Sequence, residues 1–507
     1  MTMRFEPGRI AAAGAGVAAA ALGAGAGELL AAAIAPRTSP FAAIGSVLID
    51  AAPAWAKDLA IALFGTGDKV ALLTLIALVL LAVAAVAGLL QRRRPPWGAV
   101  VAGSLGVVGA LAAVTRADGG VLAVVPSLVA GTVAAIVLSL LLARARTDGD
   151  GAAGMTRRAF LGASLASALA GAAMIAWAAT REAGARSVAA IRSALRLPTP
   201  AAGAILPPGS ELGVTGLAPV VTPNDAFYRI DTALIVPEID PATWTLRVHG
   251  LVQREIELTW DDLLALPLVE RPVTLACVSN EVGGDLVGNA VWLGHPLREL
   301  LAQAGPLPEA DMVLSRSQDG FTAGTPLEAL TDDRGALLAI GMNGEPLPLT
   351  HGFPVRMVVP GLYGYVSATK WVVDLEVTRF DRARAYWTDR GWSARGPIKL
   401  QSRIDVPRAG AVASGEVTVA GVAWHPHIGI AGVEVQVDDG PWEAAALAVA
   451  ISADTWVQWS TRVELGAGEH IIRCRALSAD GSTQTSKTAP PAPDGATGWH
   501  TRRITAA

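Results

Sequence analysis

Four stretches of this chain stay apolar for the length needed to cross a bilayer: Val70 to Leu90, Gly98 to Thr115, Val121 to Ala143 and Phe160 to Thr180. Roughly 20 apolar residues rising 1.5 Å each cover a hydrocarbon core of about 30 Å, and a soluble helix rarely stays apolar on every face for that distance. A fifth stretch, Ile10 to Ala35, is rich in Ala and Gly and carries Glu28; it reads as another span, with an export signal or an Ala-rich tail as the alternative. Arg4 and Arg9 precede the first span, Arg92 to Arg94 follow the second, and Arg144, Arg146, Arg157 and Arg158 separate the fourth from the fifth. Cationic flanks stay on the cytoplasmic side, so five spans put everything after Thr180 outside.

The expected organisation is a membrane domain over 1–180, a linker over 181–206, an α+β domain over 207–403 and a β-sandwich over 404–507. All seven histidines lie at or beyond His249, so no paired histidines are available in the spans to hold a haem. The spans also lack paired acids and bases of the kind that mark a transport path, which leaves anchoring as their expected job. The formal net charge of −4 gives no footprint for a nucleic acid partner. Two cysteines 197 positions apart imply no disulfide framework.

Past residue 206 the pattern changes to short β-rich runs, turns and brief helices. TWTLRVHGLV (243–252) alternates as a strand, TWDDLLALP (259–267) reads as a short helix entered at Thr259, and HPLRELLAQAG (295–305) as a helix stopped by Gly305. FPVRMVVPG (353–361) and KWVVDLEVTRF (370–380) are β-rich. From Val406 onward EVTVAGVAW, GVEVQVDDGPWEAA, WVQWSTRVEL and GEHIIRCRALSADG are strands spaced as in an immunoglobulin-like sandwich, with Cys474 on the same inward face as Ile472. Cys277, inside TLACVSNEVGG, has no such simple assignment.

Four stretches then come into view in order: AFYRIDTALIVP, TLACVSNEVGG, MNGEPLPLTHGFPVRMVVPG with its following TKW, and the terminal sandwich. Together they resemble the sulfite oxidase family of molybdenum–molybdopterin enzymes over roughly residues 220–507. The resemblance implies that Cys277 is the single protein thiolate on molybdenum, a soft ligand suited to such a centre. It implies pterin contacts from Phe227, Tyr228, Arg229, Asp231, Asp319, His351, Arg356, Thr369 and Lys370, with Asp231 standing where the family has a histidine. Arg356 and Lys370 suit an anionic phosphate, the alternative for each being an ordinary strand-edge charge. The segment TRRAFLGASLASALAGAAM (156–174) resembles a twin-arginine export signal, with Gly162 where a basic residue is common.

The same resemblance shows a departure. Sulfite oxidases carry arginines just after the cysteine, where this chain has Glu281 and Val282, and a tyrosine before MNG, where it has Ile340. Fewer cations disfavour an oxyanion such as sulfite. The expected protein is therefore a multi-pass, outward-facing oxidoreductase for another small molecule, with an electron donor or acceptor as partner and a homodimer by analogy. The alternative is a cofactor-free surface binding protein. Tyr363 and Tyr365 are placed either at the site's entrance or in loop packing.

Overall fold

The structure is a computed structural model, and it describes residues 7–34, 39–51, 68–114, 121–146, 155–184, 188–233, 236–408 and 410–507. The chain divides into two compact units, one built mainly from residues 1–190 and the other mainly from 191–507. Each is described separately.

The first unit is helical: α1 (Arg9–Ile34), α2 (Pro40–Ala51), α3 (Asp68–Arg93), α4 (Trp97–Val114), α5 (Val124–Arg146) and α6 (Arg157–Gly184). Five of these, all but α2, are long and apolar enough to cross a membrane by length and composition. They match the five expected stretches, the Ala- and Gly-rich first one included. Helix α2 was not foreseen; its 12 residues rise about 18 Å, too little to cross. Glycines let these helices approach closely. A Cβ on Gly16 would fall 2.0 Å from the Ala84 carbonyl oxygen, one on Gly25 2.5 Å from that of Gly171, and Gly106 and Gly131 meet face to face. This is the small-residue packing by which apolar helices associate without a hydrophobic drive. Thr156 receives the backbone N–H of Ala159 at 3.2 Å and so caps the first turn of α6 at the paired arginines.

The second unit begins at Ile191, within the short helix α7 (Val188–Ala194). Within the stretch expected as a linker, 181–206, residues 201 and 202 lie against the second unit. The Ala201 and Glu270 backbones exchange bonds with Leu268 and Ala202, laying this segment along a strand of the second unit. One sheet has the order β2 (Ile256–Thr259), β1 (Thr245–Gly250), β10 (Val372–Thr378), β5 (Met312–Ser317), β6 (Thr322–Pro326). Its β1–β10 pair is parallel and the others antiparallel. A second sheet runs β3 (Val269–Ala276), β4 (Val287–Pro296), β7 (Leu337–Met342), β8 (Glu345–Pro346), with β9 (Arg356–Val358) also on β7.

The connecting helices follow the sequence signals. For α8 (Trp260–Ala265), Thr259 and Asp262 form a reciprocal capping box, worth about 1 kcal/mol. Helix α9 (Leu297–Ala304) ends at Gly305, which takes the left-handed conformation at φ 65°. A single turn, α10 (Glu328–Thr331), completes the set.

The C-terminal strands form one eight-stranded path: β11 (Gln401–Val406), β13 (Gly415–Trp424), β16 (Val457–Leu465), β15 (Glu443–Leu447), β14 (Ile430–Val437), β17 (Gly468–Ser478), β18 (His500–Ala506), β12 (Gly410–Val412). The sheet curls, since Val419 and Trp459 from one end share a core with Ile472, Cys474 and Ile504 from the other. Cys474 and Ile472 are both fully enclosed, as their shared face requires.

Candidate functional site

The hairpin of β3 and β4 presents Cys277. Both faces of β3 are covered, so Val273 to Val278 are all buried, and the chain turns just past the cysteine. The Cys277 N–H donates to Leu286 O at 2.9 Å, the Asn280 N–H to Cys277 O at 3.1 Å, and the Asn280 side chain accepts from Leu286 N at 2.9 Å. The loop is thus closed at its neck with Cys277 fixed at the start. Burial pushes the thiol pKa up, while the backbone and hydroxyl of Ser279 hydrogen-bond to the sulfur and favour the thiolate. Among the described residues, no three His, Cys, Asp or Glu side chains come together to hold an ion. A metal on Cys277 would draw its other ligands from a cofactor.

Next to this stands a buried cation set. Arg356 on β9 is 5% exposed, lies over the Trp292 ring at 4.9 Å and donates to the His351 carbonyl at 3.1 Å. Lys370 donates to Asp231 at 2.7 Å and to Thr350 O at 3.0 Å. Arg229 also reaches Asp231, at 2.9 Å. Gly352, at φ 110°, is the hinge that gathers them: a Cβ there would meet the Cβ atoms of Arg356 at 3.0 Å and Lys370 at 3.1 Å. Burial lowers Arg356 to about 10 and Lys370 to about 8. Burial, then Arg356 and Lys370, hold His351 down at about 4, so it is neutral and its Nε2–H donates to Asn224 O at 3.1 Å.

Arg356 and Lys370 are buried and Arg229 is partly exposed at their edge, so with Asp231 as the carboxylate among them the set keeps excess positive charge largely out of water, an arrangement that calls for an anion. A phosphate-bearing pterin fits that donor set, and a solitary buried cysteine fits the metal it carries.

The other expected residues divide. Phe227 stacks on Tyr228 at 5.2 Å and meets His351 and Trp292 edge-on, walling the set. Tyr228 stands within reach of Cys277 and Arg356; desolvation, then the Cys277 charge, raise its pKa, and the Arg356 charge opposes them. Asp231 belongs to the set as its counter-ion. Thr369, fully buried, is bonded to the Ser315 hydroxyl at 2.7 Å and turned inward. Asp319 accepts from the Phe321 N–H at 3.3 Å within the β5–β6 turn, beside Gln318, which binds the Trp371 carbonyl. Tyr363 and Tyr365 are both buried, and the Tyr365 hydroxyl donates to Ser393 O at 2.7 Å, so loop packing is what the structure has.

Glu281 is exposed, so its repulsion of an anion is screened by water. Ile340 is fully enclosed within β7. Sequence reasoning missed Trp292, Asn224 and, from the C-terminal sheet, Arg403 and His500. Arg403, paired with Asp405 at 2.6 Å, donates to Gly284 O at 2.8 Å. The His500 ring lies against Gly283, where a Cβ would fall 2.2 Å from it. Asn224 sits three positions before Phe227 and was within reach of the motif; the other three are visible only in three dimensions. A cleft of about 520 Å³ lined by Asn224, Asn343, Glu345 and Pro348 shares Asn224 with the set but does not include Cys277.

Comparison with known proteins agrees with this geometry. Residues 233–387 match the oxidoreductase molybdopterin binding domain. The chain is 32% identical over 320 residues to the mitochondrial sulfite oxidase of Homo sapiens, covering 53% of this chain and 58% of that protein. It is 30% identical over 322 residues to the sulfite oxidase of Gallus gallus, covering 53% and 69%. Against the uncharacterized oxidoreductase YuiH of Bacillus subtilis (strain 168) it is 34% identical over 191 residues, covering 38% and 87%. The chain therefore spans somewhat more than half the length of the mitochondrial relatives. With a lone buried cysteine beside an anion-seeking cation set and these relatives in agreement, the chain belongs to the sulfite oxidase family of molybdopterin-dependent oxidoreductases.

Proposed function

We propose that this protein is a membrane-anchored, outward-facing molybdenum–molybdopterin enzyme acting on a small substrate other than sulfite. The observation that carries the proposal is the excess of positive charge from buried Arg356 and Lys370, with partly exposed Arg229 beside them, over Asp231, next to an otherwise solitary Cys277. When bound, the molybdenum–pterin group supplies two-electron oxygen-atom transfer. Cys277 provides the protein thiolate, with Ser279 stabilising its charge. Arg229, Arg356 and Lys370 bind the anionic end of the pterin, and neutral His351 offers its free ring nitrogen as an acceptor. Phe227, Tyr228 and Trp292 exclude water, which strengthens every charge interaction inside.

The substrate reading rests on the loop after Cys277. It carries Glu281 and Val282 and no cation of its own, and the nearby Arg403 is already neutralised by Asp405. A dianion would find no free positive charge there, whereas a neutral oxygen donor or acceptor such as a sulfoxide or N-oxide needs none. Five apolar helices with arginines at one set of ends, and a twin-arginine-like segment opening the last, support an external catalytic unit fed with folded protein. The curled terminal sheet suits an immunoglobulin-like dimerisation domain, and an electron donor or acceptor completes the cycle.

The test is metal and pterin analysis of the purified chain beside Cys277→Ala, followed by a panel of sulfoxides, N-oxides and sulfite. Wild type should hold molybdenum with one protein sulfur ligand and the variant should not. Metal bound unchanged in the variant, or sulfite turned over at ordinary enzymatic rates, would refute the corresponding part of the proposal.

A further inference from the structure

The stretch that carries His351 opens with a tight hairpin. Asn343 and Gly344, at φ 51° and 80°, make the two-residue turn between β7 and β8. The Asn343 amide fastens that turn, accepting from Val291 N at 2.9 Å and donating to Thr222 O at 2.9 Å and Asn224 Oδ1 at 2.8 Å. Beyond it, side chains seize the backbone carbonyls. The Trp371 indole donates to Leu349 O at 3.1 Å, Lys370 to Thr350 O at 3.0 Å and Arg356 to His351 O at 3.1 Å. Pro346 and Pro348 have no N–H to give, so the hold on this stretch falls heavily on its carbonyls.

Arg192 extends the series from outside the motif. It stands on α7, eight positions past Gly184, where α6 ends. Its Nε donates to Leu347 O at 2.7 Å and its Nη2 to Pro346 O at 2.6 Å, with Glu345 as counter-ion at 3.1 Å. Glu345 also accepts from the Asn224 amide at 2.5 Å, and the Asn224 carbonyl receives the His351 Nε2–H. Arg192 therefore reaches this stretch twice, directly at 345–347 and through Glu345 and Asn224 at His351. Its side chain is 21% exposed and that of Glu345 50%, so water screens the ion pair and the two carbonyl bonds fix the geometry.

We propose that Arg192 is a positioning residue for the cofactor site, a strap from α7 that keeps Thr350 and His351 in place against Lys370 and Arg356 and so sets how long the pterin stays bound. The inference rests on the metal-site reading given above. Arg192 touches neither Cys277 nor the cation set itself; it acts through the 345–351 backbone. Without it the Pro346 and Leu347 carbonyls lose a charged donor and the stretch gains freedom. Binding the pterin must then supply that ordering, which weakens the hold on it. The short helix that follows the apolar helices thereby belongs to the support of the site, and is more than a tether.

The test uses the full chain in detergent, as wild type, Arg192→Gln, Arg192→Lys and Arg462→Gln, the last removing an exposed ion pair with Glu416 on the C-terminal sheet. Pterin release from the loaded protein is followed after dilution by the fluorescence of the freed, oxidised pterin. Arg192→Gln should speed release about tenfold, as loss of bonds from a charged donor implies, Arg192→Lys should fall between it and wild type, and Arg462→Gln should match wild type. Hydrogen exchange read by mass spectrometry should rise in the 342–352 peptide of Arg192→Gln, where the Leu347 and His351 amides bond to Ile340 O and Pro348 O, and stay unchanged in β14 and β17. Release at the wild-type rate, or exchange that rises equally in all these peptides, overturns the strap. If wild type binds no molybdenum or pterin, the metal-site reading falls by itself. Exchange in the cofactor-free chain then decides the strap: loosening confined to 342–352 keeps it, and unchanged protection there overturns it.

Discussion

Lys370→Met gives the sharpest test of the charge argument. Burial holds the Lys370 ammonium at about 8 in the folded, cofactor-free protein, against 10.5 for an unperturbed lysine. Below pH 8 both folded and unfolded states carry the proton, and the folded state bears the full cost of burying it. Between pH 8 and 10.5 the unfolded state binds more protons than the folded one, so stability rises with pH across that window. A gap of 2.5 pKa units corresponds to about 3 kcal/mol, and with Lys370 8% exposed little of it is lost to solvent screening.

Other groups oppose this trend. Burial raises Cys474 to about 12 and Tyr363 to about 12, and each removes stability as the unfolded thiol or phenol ionises. The informative quantity is therefore wild type minus Lys370→Met, in which those contributions cancel. Its absolute offset includes the unpaired Thr350 carbonyl and the weakened Asp231, but its slope does not. Denaturant unfolding of the full chain in detergent, followed by tryptophan fluorescence, reads the second unit, which holds eleven of the 14 tryptophans. The difference should climb by about 3 kcal/mol from pH 8 to 10.5 and flatten when an anion loads the site. A flat or falling difference in the cofactor-free protein would refute the claim that Lys370 is a buried, under-compensated cation.

Cys277→Ser should abolish molybdenum content while shifting stability by no more than about 1 kcal/mol, since the side-chain volumes are close; elemental analysis and thermal unfolding check the two halves. Gly283→Ala should cost about 2–4 kcal/mol, because φ is 79° and the new Cβ would enter the His500 ring, and adding His500→Ala should return part of the loss in a double-mutant cycle. Arg157→Lys with Arg158→Lys should stop a C-terminal reporter from reaching the external side while leaving the apolar helices inserted, as reporter activity and membrane fractionation would show. Trp292→Leu should lower pterin retention several-fold by removing the ring beneath Arg356, measured as cofactor loss on dilution.

Much of the fold could be read along the chain because its signals are local. Unbroken apolar runs gave the five long helices, Thr259 and Asp262 marked the start of α8, and Gly305 marked the end of α9. The cation set was legible for a different reason: HGFPVR and TKW are compact motifs whose residues converge on one glycine. What escaped was tertiary. Helix α2 lacks a strong local signal, and nothing in TKW announces the bond between the Thr369 and Ser315 hydroxyls. Glu281 looked like a pocket residue because it follows Cys277 closely, yet its loop turns it into water. Arg403 lies 119 positions from Gly284 and His500 lies 217 from Gly283, and no local pattern announces either contact.

That last pair changes what the C-terminal sheet is for. Gly283 rests on the ring of His500, and the Gly284 carbonyl is held by Arg403, so the loop leaving Cys277 takes its shape from strands β11 and β18. The boundary expected near residue 404 therefore does not part the C-terminal strands from this loop. A change in this loop, by evolution or by design, calls for a matching change in β18, because a transplanted loop would arrive without the surface on which it rests.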